Sequence, residues 1–159
     1  MSSPRPQDSE PTSPLRQAQR TSPSRPRQRR SHRRPPVILI ADDTRDTRDL
    51  YTEYFESRGF TVVTAKDGVS AVHAALEHLP DVIVMDLAMP QIDGVTAIRR
   101  IKTDARTLRS RVILLSGYLH RVVGRGALEA GADLLLTKPC LPDVLERYVN
   151  RLRRWRRSV

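Results

Sequence analysis

Five short apolar runs govern what this chain can fold into. Val37-Ile38-Leu39-Ile40-Ala41, Thr61-Val62-Val63-Thr64-Ala65, Asp81-Val82-Ile83-Val84-Met85-Asp86, Val112-Ile113-Leu114-Leu115-Ser116 and Asp133-Leu134-Leu135-Leu136-Thr137 are too short for buried helices. They predict strands buried on both faces, as in a parallel sheet. Segments at helical spacing separate them. Asp46 is placed to N-cap the first, with Asp49 in its first turn and Leu50, Tyr51, Tyr54 and Phe55 on its apolar face. Val69, Val72, Leu76 and Leu79 mark the second, which Pro80 ends, and Val95, Ile98 and Ile101 mark the third. His120 to Ala130 predicts a weak fourth, because Gly124 and Gly126 each cost about 1 kcal/mol relative to Ala. Leu141, Val144, Leu145, Tyr148, Val149 and Leu152 mark the fifth. Strand and helix alternating with right-handed crossovers imply an α/β three-layer sandwich. The expected sheet has five parallel strands in the flavodoxin-like order 2-1-3-4-5, with five helices.

The net charge of +10 belongs to the ends. Residues 1–36 hold nine arginines against two acids, and the last nine residues hold five arginines and no acid, which leaves 37–150 mildly acidic. A nucleic-acid-binding fold is therefore not implied by the pI. Residues 1–36 contain only Met1, Leu15 and Ala18 as apolar residues, with eight of the twelve prolines. That composition predicts a disordered tail, whether a solvated extension or sequence upstream of the true start. The expected domain spans 37–152, followed by a basic extension at 153–159. No apolar run is long enough to span a membrane and no secretory signal is apparent, so the chain reads as cytoplasmic. The lone Cys140 excludes an internal disulfide. It reads as a small packed residue. His32, His73, His78 and His120 lack metal-ligand spacing and read as surface or helix residues. Trp155 reads as the last turn folding an apolar edge down, ahead of a stacking platform for nucleic acid.

The chemistry lies at strand ends. Four of the five runs finish in Asp42-Asp43, Asp86, Ser116 and Lys138, and the second in Ala65-Lys66 has no counterpart. In a doubly wound sheet ligands bind beyond the carboxyl ends of the strands, where strand order reverses. Strands one and three flank that point, so Asp42, Asp43 and Asp86 should converge there, with Ser116 and Lys138 arriving from strands four and five. Three carboxylates in one crevice call for a compensating cation or a raised pKa. Oxygen ligands suit Mg²⁺, with room left for a phosphate oxygen. A carboxylate so held and facing a lysine can attack phosphorus, a reaction that needs mainly positioning and charge neutralisation.

At these residues the chain resembles the response-regulator receiver domains of two-component signalling. Asp42-Asp43, the stretch Asp86-Leu87-Ala88-Met89-Pro90 with Asp93-Gly94, Ser116-Gly117 and Lys138-Pro139 fall in family order and spacing. The resemblance covers about residues 37–152. It implies that Asp86 accepts a phosphoryl group from a histidine kinase or histidine phosphotransfer protein. It implies Mg²⁺ on Asp43, Asp86 and the Leu87 carbonyl, with Asp42 acting through water. Ser116 would move onto the phosphoryl group, Lys138 would contact it from the other side, and the Lys138-Pro139 bond would be cis. Output would pass to a downstream effector through the fourth-helix, fifth-strand and fifth-helix face. The chain would catalyse only its own phosphorylation and dephosphorylation. One departure stands out: Leu135 occupies the position three before the lysine where receivers commonly carry Tyr or Phe. Ala88 and Tyr118 hold the positions that tune dephosphorylation, and the bulk of Tyr118 is placed to shield the phosphoryl group.

Two rival readings accompany this one. The receiver fold could be a scaffold whose Arg-rich ends make weak, salt-sensitive contact with nucleic acid or another anionic surface. A hydrolase acting on an external phosphoester is disfavoured by the short loops, which leave no cap domain.

Overall fold

A computed structural model describes residues 34–118 and 121–155, with the backbone alone at 121 and 122. The expected tail, His32, His120 and most of the basic C-terminal extension lie outside the described residues. The chain alternates β1 (Val37–Ala41), α1 (Arg45–Ser57), β2 (Thr61–Ala65), α2 (Gly68–His78), β3 (Val82–Asp86), α3 (Gly94–Thr103), β4 (Arg111–Ser116), α4 (Arg121–Ala130), β5 (Leu134–Thr137) and α5 (Pro142–Trp155). All strand pairs are parallel, in the order β2-β1-β3-β4-β5. The five-stranded, five-helix sandwich is the one the sequence predicts.

Alternation along each strand sorts the core into two layers. Leu39, Ala41, Ile83, Met85, Val112 and Leu114 face Ala71 and Ala75 of α2, Ala97, Ile98 and Ile101 of α3, and Ala127 of α4. Ile38, Ile40, Val82, Val84, Ile113 and Leu115 face Tyr51 and Phe55 of α1 and Leu145, Val149 and Leu152 of α5. Strand β3 is buried at every position because it lies between paired strands and between both helical layers. A buried Phe such as Phe55 is worth about 1.5–3 kcal/mol over an exposed one, so these layers hold the sheet flat enough to present one rim.

Several local expectations need correction. Helix α1 is capped by Thr44, and Asp46 lies inside its first turn. Leu50 is 54% exposed, since the buried stripe is set by Tyr51 and Phe55 four residues apart. On α2 the buried residues are Gly68, Ala71 and Ala75, which let the helix approach the sheet closely. Leu79 is instead an exposed C-cap in the left-handed region (φ 47°). Asp81 and Asp133 stand just ahead of β3 and β5, where their carboxylates accept the N–H groups of Val37 and Val112 at 2.9 and 2.8 Å. Helix α5 continues to Trp155, whose side chain is 65% exposed and not folded down. His73 and His78 are exposed, and Cys140 packs half-buried against the α1/α5 layer.

Candidate functional site

Register builds the site. Ala41 pairs with Met85, so the residues that follow, Asp42 and Asp86, leave the sheet side by side. Asp86 pairs with Leu115, and Ser116 with Thr137, which brings Ser116 and then Lys138 to the same rim. Carboxylate oxygens of Asp42, Asp43 and Asp86 all lie within 4.8 Å of one another. Lys138 Nζ donates to Asp42 Oδ2 at 2.6 Å and lies 3.2 Å from Asp86 Oδ1. Asp42 and Asp86 are buried, and Asp43 is exposed at the mouth.

Each group is fixed differently. Both oxygens of Asp42 are engaged, Oδ1 by the Thr44 N–H at 2.8 Å and Oδ2 by Lys138, while its backbone carbonyl accepts from Arg48 at 2.7 Å. Asp42 is thus a clamp on Lys138. Burial pushes the Asp86 carboxyl above the usual range; Lys138 opposes this and Asp42 adds to it. Burial pulls the Lys138 ammonium down, but the hydrogen bond and charges of Asp42 and Asp86 outweigh it and raise its pKa. The Lys138-Pro139 bond is cis. Ser116 Oγ, itself buried, donates to the Tyr118 carbonyl at 2.8 Å and accepts from the Tyr118 N–H at 3.2 Å. The Tyr118 side chain is 69% exposed.

One expected metal ligand turns away. The Ala88 N–H bonds the Asp86 carboxylate, and in a trans peptide the carbonyl of the preceding residue points the opposite way. The Leu87 carbonyl accordingly accepts from the Gly94 N–H at 2.9 Å, away from the acidic cluster. Gly94 also matters sterically, because a Cβ there would sit 2.3 Å from the Asp86 carbonyl oxygen. Sequence reasoning missed the Thr44 and Ala88 amides, Arg48 and the close approach at Gly94; of these only the Asp93-Gly94 pair left a visible signal.

The donor set fits a hard divalent cation. Three carboxylates converge on a single ammonium, leaving formal charge to neutralise, and all three offer oxygen. Such a pocket at the carboxyl rim of a 2-1-3-4-5 sheet is the site of a phosphoryl-accepting switch domain. The family model described as "Response regulator receiver domain" matches residues 38–150, and the chain belongs to that family. Among its relatives, the chemotaxis protein CheY of Bacillus subtilis is 35% identical over 72% of this chain and 94% of its own length. The DNA-binding dual master transcriptional regulator RpaA of Synechocystis is 35% identical over 75% of this chain but only 50% of its own length. The chain therefore spans nearly all of one relative and half of the other. The solved receiver domain of the Francisella response regulator 1452 is 30% identical, covers 77% of this chain and 99% of its own, and superposes with a TM-score of 0.70. Among the described residues, no helix is long and apolar enough to cross a membrane.

Proposed function

We infer that Asp86 is the phosphoryl acceptor of a two-component phosphorelay and that this domain signals by changing a partner surface. The observation that carries the assignment is Lys138 Nζ, 3.2 Å from Asp86 Oδ1 and clamped at 2.6 Å by Asp42. A carboxylate oxygen of Asp86 attacks the phosphorus of a phosphohistidine on a histidine kinase or phosphotransfer protein. The P–N bond breaks, and the imidazole nitrogen keeps the electron pair and takes up a proton. Lys138 moves its charge toward the equatorial oxygens as the Asp86 negative charge is spent in the new bond. Ser116 supplies a hydroxyl donor at the same rim once it leaves the Tyr118 carbonyl.

Asp42, Asp43 and Asp86 would hold Mg²⁺, with the backbone carbonyl of Ala88 replacing that of Leu87, which faces Gly94. When bound, the ion supplies charge neutralisation for the transferring group. The chain catalyses only its own phosphorylation and dephosphorylation, works in the cytoplasm, and passes its output to an effector through the α4, β5 and α5 face. Leu135 replaces the usual aromatic there, so the signal leaves through the Ser116–Tyr118 loop and α4.

Incubation with Mg²⁺ and acetyl phosphate should add one phosphoryl group by mass, and Asp86→Asn should stay unmodified. Phosphorylation that persists in Asp86→Asn would sink the assignment.

A further inference from the structure

Outside the carboxylate pocket, the most ordered pattern of surface charge lies on the outer side of α1 and α5. The two helices lie side by side over one face of the sheet, with Tyr54 donating to Glu146 at 2.7 Å in the seam. Their contacts advance together. The Tyr51 hydroxyl meets the Cys140 carbonyl just before α5, Tyr54 and Arg58 meet Glu146, and Arg153 lies over the Phe60 ring just after α1. The helices therefore run parallel. Helix α1 turns Asp46, Glu53 and Glu56 to solvent, and α5 turns out Arg151 and Arg154. Steps of three and seven residues keep each set on one helix face.

None of these five has an ion-pair partner among the described residues, whereas Asp49 and Arg147 are each held by a neighbour on their own helix. One face of the domain thus carries an acidic stripe and a basic stripe, parallel and adjacent, with exposed Leu50 beside the acidic one.

We propose that this face pairs with a second copy of the chain about a two-fold axis parallel to the helices. That rotation swaps left and right while turning the face over, so α1 of each copy meets α5 of the other. A two-fold across the helices would set acid on acid and base on base. Charge selects the first arrangement. Helices of 13 and 14 residues are about 20 Å long, so the pair offers a footprint on the order of 400 Å². A standard stable interface uses about 800 Å² per partner, so this dimer is weak and held largely by charge. Salt screens it.

Sedimentation equilibrium on the full, unphosphorylated chain tests this. At low salt the weight-average mass should climb with concentration toward twice that of one chain, and at high salt the dissociation constant should rise severalfold. The charge reversal Arg151→Glu with Arg154→Glu should remain monomeric, as should Glu53→Arg with Glu56→Arg. An equimolar mixture of the two reversed chains should form a one-to-one heterodimer, because each restores the charge the other lacks. Recovered association also shows that both variants fold. A wild type that stays monomeric at low salt, association that survives either reversal, or a mixture that stays monomeric overturns the proposal. Neither Asp86 nor a phosphodonor takes part, so such a failure leaves the phosphoryl-acceptor assignment standing.

Discussion

At the scale of single residues, the pocket is a balance of unlike costs. Asp86 has a folded pKa above its unfolded value of 3.8, chiefly through burial. Its contribution to stability is therefore full below that unfolded value and is lost as pH rises through the folded one. In chelator, Asp86→Asn should raise the melting temperature at neutral pH and change little near about pH 3, as calorimetry would read. Tyr51 gives an alkaline counterpart. Burial pushes its hydroxyl from 10.0 to about 12, with Cys140 and Asp42 adding to the rise. Stability should fall as pH climbs through that window, since the unfolded chain loses the proton first. Tyr51→Phe, which removes the bond to the Cys140 carbonyl, should cost roughly 1 kcal/mol in urea unfolding at neutral pH and flatten that alkaline decline. Gly94→Ala places a Cβ against the Asp86 carbonyl oxygen and should cost about 1–3 kcal/mol by displacing the loop. Phosphorylation by acetyl phosphate should slow in the same variant.

At the scale of elements, α4 is weaker than its position demands. A Cβ at Gly126 meets nothing within 4 Å and one at Gly124 makes only an ordinary contact with Leu135, so neither glycine is there for space. Gly126→Ala should stabilise the domain by up to about 1 kcal/mol in urea unfolding. It should also lower hydrogen exchange across α4.

The strands were legible because continuous apolar runs end abruptly in Asp42-Asp43, Asp86, Ser116 and Lys138. Helix faces were less so. Leu50 and Leu79 read as core, yet Ala71 and Ala75 make the close contact on α2 while Leu79 takes a left-handed cap. The direction of the Leu87 peptide was invisible, since every residue carries the same amide and only the fold decides where it points.

At the scale of the whole molecule, the pocket ties together β1, β3, β4 and β5 through side chains from Asp42 to Lys138. A divalent ion that binds only the assembled rim should stabilise every element at once. At ten times its dissociation constant, Mg²⁺ should add about 1.4 kcal/mol, seen as a rise of a few degrees in melting temperature. Asp43→Asn should remove that gain while leaving the metal-free fold unchanged, because Asp43 is exposed and packs against nothing in the core. Across the molecule, the layer that covers one side of the sheet with α1 and α5 is separate from the one that holds α2, α3 and α4. Association on the first side can therefore proceed without disturbing α4 on the second.

The Ser116 hydroxyl, satisfied in both directions by one neighbour, makes this switch selective about what trips it. A neutral or loosely held anion drifting into the pocket offers no better acceptor than the Tyr118 carbonyl already does, and the loop stays closed. Only a covalently anchored, fully charged oxygen competes well enough to draw the hydroxyl across. Background phosphate is thereby ignored, and the threshold for a response is written into two backbone hydrogen bonds.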